Sequence, residues 1–419
     1  MRWLLAICLI AAAPAWAEDD DSAALALADK PPLTTARARE LLGFLEATVG
    51  RSSLRTDPAG TRQDAQLFVG LNVDKPLTPK LRVVLGDLLA LQNHDDLLGR
   101  HAVNTMIDAY LSWQPRDDAI LDAGRINTRY GVGTGFNPTD YFRVNAVRSI
   151  VSIDPNSLRA NRMGTVMARA QTLWNSGSAT AIYAPKLADN VNDAPFSPDW
   201  GATNLHDQWL LALSQKLWRG FEPQLLVYSA AGQRPRVGIN ATALLNNATV
   251  LYVEGSAGRS PSLLSQSLGA PDDIAFRSQW ATGLTYTSTR NVSVTLEYEY
   301  NGAGLDRDQA DALQHGAVAL PSYVMYRAFA ARVQSPPTRQ RVFGRIAWTD
   351  AIINRLDLAS FAYYDVLDNS RQFWVEARYR WTHDLDTAVQ AQWNRGDPAS
   401  DFGALPARWV WQLLATWYF

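Results

Sequence analysis

The last twelve residues, Arg408 to Phe419 (R-W-V-W-Q-L-L-A-T-W-Y-F), constrain the fold most. Read with the period of two that a β-strand imposes, Trp409, Trp411, Leu413, Ala415, Trp417 and Phe419 share one face. Val410, Gln412, Leu414, Thr416 and Tyr418 share the other. The first face is aromatic and aliphatic throughout. It needs either a covering second layer, as the closing strand of a soluble barrel would have, or lipid.

The same alternation recurs upstream. Val292, Val294, Leu296, Tyr298 and Tyr300 oppose Ser293, Thr295, Glu297, Glu299 and Asn301. Phe373, Val375, Ala377, Tyr379 and Trp381 oppose Gln372, Glu376, Arg378 and Arg380. Leu385, Thr387, Val389, Ala391 and Trp393 oppose Asp386, Gln390, Gln392 and Asn394. A charge facing lipid near the midplane costs about 2–4 kcal/mol, so in a membrane these polar faces point inward. A polar interior crossing a membrane is a candidate conduit.

The N-terminus predicts export. Arg2, an apolar stretch from Trp3 to Ala13 and Ala15-Trp16-Ala17 before Glu18 form a signal-peptide pattern over residues 1–17. The apolar stretch is too short for a spanning helix, and no later segment has about 18 consecutive apolar residues. The single cysteine, Cys8, falls within the leader. The mature chain therefore has no disulfide, thiol nucleophile or thiolate metal site. A net charge of -2 gives no reason to expect nucleic acid.

Residues 18–41 read as a short periplasmic tail and 42–419 as one barrel. Short turns such as Asp74–Lys80, Gln114–Asp118, Ser288–Asn291 and His383–Asp386 carry turn chemistry. They alternate with the long connections Gln92–Ala102, Arg129–Asn161, Leu187–His206, Arg259–Ile274, Asn301–Thr338 and Arg395–Ala407. The last strand must run down into the periplasm, and counting backwards Arg62–Asp74 also runs down. Leu42–Gly50 then supplies the first upward strand. Tyr323–Val333 must be a loop helix, since one more strand would break the even count. The expected fold is an all-β, transmembrane, antiparallel up-and-down barrel of about 18 strands, with 16 as the alternative. Barrels of that size leave an aqueous lumen.

Two constellations carry candidate function. Leu121 to Arg143 holds Gly131, Gly133 and Gly135 at spacing two, then Asn137, Pro138 and Asp140. A phosphate-cradling glycine loop needs a strand-to-helix unit that is absent here. The segment is either an extracellular loop packed on its own strands or a constriction loop folded into the lumen, with Arg125, Arg129 and Asp140 on the solute path. The second constellation is lumen charge. Arg339, Arg341 and Arg345 share a face, with Glu297 and Glu299 one strand earlier. Asp357, Glu376, Arg378 and Arg380 follow on the next two strands. At about 4.8 Å between strands these are expected to form one patch. It is either an anion-selective region or a neutralised network bracing the wall.

Catalysis is not expected. The five histidines, His94, His101, His206, His315 and His383, lie in predicted loops and a turn, away from any evident serine nucleophile. The His94-Asp95-Asp96 and His101 group has metal-ligand residue types, but a solvated loop is the simpler reading, and neither metal nor cofactor is expected.

The chain from Leu42 onward resembles the bacterial outer-membrane porin superfamily, on the signal peptide, the hairpin rhythm and the terminal W-V-W-Q-L-L-A-T-W-Y-F. The resemblance implies residence in the outer membrane and contact with its lipids. It also implies that Trp417 and Phe419 belong to the signal read by the barrel assembly machinery. Within that superfamily, an arginine-rich lumen and the G-R-I-N-T-R stretch at Gly124–Arg129 resemble the alginate-export family, whose substrates are anionic polysaccharides. The expectation is passive passage of small hydrophilic solutes, anionic ones included. Polysaccharide export and a loop-sealed structural or adhesive barrel are the alternatives, and an outer-membrane lipase is the remotest. Oligomeric state is not encoded legibly.

Overall fold

In a computed structural model, residues 40–419 are described, apart from 58–59, 97, 270–272 and 316–318. The expected signal peptide and nearly all of the expected periplasmic tail lie outside the described residues.

Eighteen antiparallel strands form one closed sheet. They are β1 (Leu41–Leu54), β2 (Arg62–Thr78), β3 (Leu81–Gln92), β4 (Ala102–Arg116), β5 (Ala119–Ile126) and β6 (Thr165–Trp174). Next come β7 (Gly177–Ala184), β8 (Gln208–Gln215), β9 (Gln224–Ala230), β10 (Arg236–Asn246), β11 (Thr249–Ser260) and β12 (Ala275–Thr287). The last are β13 (Val292–Asn301), β14 (Gln340–Trp348), β15 (Leu356–Asp365), β16 (Arg371–Arg380), β17 (Leu385–Arg395) and β18 (Ala407–Tyr418). Each strand pairs with its sequence neighbour, and β1 closes on β18 through a register running from Phe44 opposite Tyr418 to Ser53 opposite Trp409. Phe419 ties the seam, exchanging two backbone hydrogen bonds of 3.0 Å with Gly43. Closure leaves no free sheet edge, the condition for a sheet to stand in lipid.

The alternation read from the sequence sets inside and outside. On β18, Trp411, Leu413 and Trp417 are exposed outward, whereas Leu414 and Thr416 are buried inward. No helix among the described residues is long and apolar enough to cross a membrane. Strands run past some predicted turns: β2 continues to Thr78, so the Asp74–Lys80 reversal is confined to its last residues. The long connections gather at one end and carry α1 (Pro155–Ala160), α2 (Leu263–Ser267), α3 (Arg307–His315) and α4 (Ala319–Arg332). The last of these is the predicted loop helix.

One stretch of wall departs from alternation. The inward residues of β6 to β9 include Met167, Ile182, Leu210 and Leu226, all buried. They pack with Ile126, Tyr141, Phe142 and Tyr228 into an apolar core inside the barrel. The outward residues Tyr183, Trp209, Leu211, Leu213, Leu225 and Val227 are also apolar. These strands therefore bury one apolar face against protein and carry the other on the outside of the barrel.

Candidate functional site: a lumen loop clamped to the barrel wall

The core inside the barrel is built on the connection between β5 and β6, residues 127–164. Its glycine-rich turn lies against the wall of β10 to β15. Glu254 on β11 accepts hydrogen bonds from Val132 N (2.8 Å), Gly133 N (2.9 Å), Thr139 N (2.8 Å), Thr139 Oγ1 (2.8 Å) and Asn137 Nδ2 (3.1 Å). Glu297 on β13 accepts from Thr134 N (2.6 Å), Gly135 N (3.0 Å) and Phe136 N (2.9 Å), and Tyr252 Oη donates to it at 2.6 Å. Two wall carboxylates thus occupy the nest of N–H groups that the turn presents. The glycines make the close approach feasible. Gly131 has φ +105°, and a Cβ there would stand 2.5 Å from the Glu254 carboxylate. A Cβ on Gly135 would stand 2.5 Å from Glu299 Oε1 and 2.8 Å from the Phe343 ring.

Beyond the turn the loop is held by aromatic packing. Tyr141 stacks on Tyr228 with centroids 4.4 Å apart, and its hydroxyl lies 3.0 Å from Ser256 Oγ. Phe142 meets the same Tyr228 edge-on. Tyr363 Oη donates to Gly135 O at 3.1 Å from a cluster formed with Phe343, Phe361, Trp374 and Phe402. The loop therefore reaches across to β15 and fills that side of the lumen.

The remaining space is eccentric. A cavity of about 1410 Å³ runs between the loop and the opposite wall. The wall side offers Ser52, Gln66, Gln92, Gln372, Gln390, Gln392 and Gln412, and the loop side Phe136, Asn137, Arg143 and Arg148. Arg148 donates to Ser197 O and Ala194 O, both at 2.8 Å. Arg143 donates to Val333 O at 3.2 Å, to Ser335 Oγ at 3.3 Å and to Asn137 O. Both guanidiniums bond carbonyls, and Arg143 a hydroxyl as well, where many lumen arginines bond carboxylates.

The predicted site residues are distributed as follows. Gly131, Gly133, Gly135, Asn137 and Pro138 form the clamped turn. Asp140 is buried between Arg162 (2.8 Å) and Arg159 (3.5 Å) and borders the cavity with them. Arg125 does not border the cavity. It is fully buried, donates to Pro198 O and Asp199 O at 2.6 Å each, and lies 4.7 Å from the Trp200 ring. It staples the connection 185–207 to the wall, because a buried guanidinium must find acceptors. Arg129 is exposed and outside the clamped turn.

The expected single charge patch is replaced by separate ion pairs spread along the barrel. Arg339 precedes β14 and pairs with Asp306 at 3.1 Å. Arg341 pairs with Glu299 at 2.7 Å and Asp401 at 3.4 Å, and it borders the cavity. Arg345 meets Asp154, the N-cap of α1, at 2.5 Å. Arg378 pairs with Glu376 at 3.1 Å, and Arg380 with Asp350 and Asp357 near the turn end. Strand tilt and different positions along each strand separate charges that adjacency alone brings together. His94 and His101 are engaged singly: His94 Nε2 lies 2.7 Å from Gln63 O, and His101 Nε2 lies 3.0 Å from Asp95. No group of metal-ligating side chains with suitable geometry occurs among the described residues.

Sequence reading missed Glu254, the principal anchor, and the carbonyl-bound arginines Arg143 and Arg148. The signal for Glu254 was available: V-L-Y-V-E-G places one acid on the inward row after an apolar run.

No family model and no curated protein matches the sequence. Solved structures do match. Pseudomonas aeruginosa OccK2 (OpdF) superposes at TM-score 0.59 with 9% identity, over 90% of this chain and 97% of that one. Acinetobacter baumannii OccAB1 superposes at 0.56 with 10% identity, over 92% and 98%. P. aeruginosa OccK8 (OprE) superposes at 0.54 with 11% identity, over 90% and 97%. The fold is that of the outer-membrane porins. At such identities the likeness carries the architecture alone.

Proposed function

We propose that this chain is an outer-membrane channel whose conduit is the eccentric gap beside the clamped loop, passing small hydrophilic solutes with a preference for anions. The observation that carries the reading is the double carboxylate clamp. It turns two wall acids into the loop and away from the cavity, and leaves carbonyl-bound Arg143 and Arg148 on the conduit wall. A guanidinium held by carbonyls keeps its positive field, whereas one paired with a carboxylate loses most of it. The opposite wall offers mainly glutamine side chains, which hydrogen-bond a hydrated solute without charge discrimination, and its Asp64 is paired with Arg62 at 2.7 Å.

The pairing of Arg341, Arg345, Arg378 and Arg380 with carboxylates removes support for a polyanion track along β14 and β16, so polysaccharide export is the weaker reading. The test is the reversal potential of the refolded protein in a planar bilayer under a potassium chloride gradient. Anion preference that falls on Arg148→Gln agrees with the proposal. Cation preference in the unsubstituted protein contradicts it.

A further inference from the structure

The outward rows of the barrel hold one acid in an unexpected place. Asp87 is the seventh residue of twelve-residue β3. Its neighbours in the inward row, Gly86 and Leu88, are buried, while Leu85, in its own row, is 46% exposed. Across the sheet it faces Leu71 on β2, which is 40% exposed, and Met106 on β4. Asp87 therefore stands on the lipid side, midway along its strand. Other charges on the outward rows, such as Arg51, Arg259, Arg371 and Arg395, lie toward the extracellular ends, where lipid headgroups begin. The Asp87 carboxylate accepts a hydrogen bond from Asn104 Nδ2 at 2.9 Å, so a second polar side chain accompanies it in the apolar belt.

The wall is irregular at the same place. The β4–β5 ladder runs from Ala109 opposite Arg125 downward, so the upper part of β4 has no β5 partner there. The connection 185–207 fills the notch, with Asn104 N donating to Pro195 O at 2.8 Å. Next to it Phe196 is 67% exposed and is not among the residues bordering the lumen cavity.

We propose that this face, β2 to β4 with Phe196, is covered in the membrane by a second copy of this chain. A carboxylate and an amide have spare hydrogen-bonding capacity that hydrocarbon cannot satisfy. The Asp87–Asn104 pair is self-complementary. About a two-fold axis, the unused N–H of each amide can reach the other copy's carboxylate, the isologous arrangement in which one patch meets itself. The one outward-row cation near that depth among the described residues, Arg125, is buried beneath the connection 185–207 and donates to Pro198 O and Asp199 O, so the amide is the donor this face can bring. The inference rests on the barrel standing in a membrane and is independent of what it conducts.

The test uses the full-length protein in a Cys8→Ser background, inserted in bilayers, with a single added cysteine. Met106→Cys, directly opposite Asp87, is expected to give an oxidised dimer at several times the yield of Val342→Cys on the far wall. The unsubstituted protein in mild detergent is expected at twice the single-chain mass, and Asp87→Leu is expected to return it to one. Heat-modifiable migration of each sample scores folding and insertion separately. Equal cross-linking at the two positions, or an Asp87→Leu protein whose mass is unchanged, overturns the proposal. So does a single-chain mass for the unsubstituted protein, or a co-purifying protein of another sequence held on this face.

Discussion

At the scale of residues, the lumen is organised by carboxylates that accept backbone hydrogen bonds. Glu297 satisfies three successive N–H groups and a tyrosine hydroxyl. Hydrogen bonds to a charged group contribute about 1.5–3 kcal/mol each, and orphaned buried donors cost a similar amount. Glu297→Leu should therefore destabilise the loop by at least about 3 kcal/mol. The expected signature is rapid proteolytic cleavage within residues 131–139 of a barrel that is otherwise intact. Arg125→Ala should act the same way on the neighbouring connection, because it orphans the carbonyls of Pro198 and Asp199 and removes the contact with Trp200. A loss of about 2–3 kcal/mol is expected, read as faster hydrogen exchange across 193–200. Unchanged exchange there would show that the staple is dispensable. Arg125 also shows where sequence reasoning stops. Its position on a strand next to a glycine-rich loop was legible, but the partners that make it a staple come from 73 and 74 residues further on.

At the scale of elements, the terminal strand was readable because its two faces differ so sharply, and β13, β16 and β17 for the same reason. The internal core was not read, although its trace is present. The stretches W-L-L-A-L and L-L-V-Y are apolar without interruption, as strands covered on both faces must be. The connection between β3 and β4 yields a pH prediction. Burial alone would push the Asp96 carboxyl up, but hydrogen bonds from the Arg100 side chain and from the N–H groups of Arg100 and Leu98 outweigh it and hold Asp96 below its ordinary value. A depressed pKa contributes stability that is full above the unfolded value, near 4, and is lost as pH falls through the lower folded value. Arg100 links this loop to Asp193 O and Arg148 O, so acidification should loosen the loop end of the proposed conduit. Protection of residues 98–101 from hydrogen exchange, taken relative to the intrinsic rate at each pH, should fall as the pH drops below about 4, with Asp96→Asn poorly protected at every pH. Protection that does not change with pH in the unsubstituted protein would contradict the assignment.

At the scale of the whole molecule, strand number and lumen width part company. Eighteen strands leave room for a wide aqueous channel. Here the clamped loop, the apolar core on β6 to β9 and the aromatic cluster on β14 to β16 occupy much of that room, leaving the eccentric cavity of about 1410 Å³. The barrel and its approximate strand count were legible because each strand crosses alone and its pattern is local. The filling was not, because it depends on contacts such as Glu254 with Val132, which are 122 residues apart.

The most direct test is single-channel conductance of the refolded protein in a planar bilayer, compared with Glu254→Leu/Glu297→Leu. Small, steady steps are predicted for the unsubstituted protein, with larger and noisier ones for the double variant once the loop is released from the wall. Large steps already present in the unsubstituted protein, or identical steps in the two, would contradict a conduit set by the clamped loop.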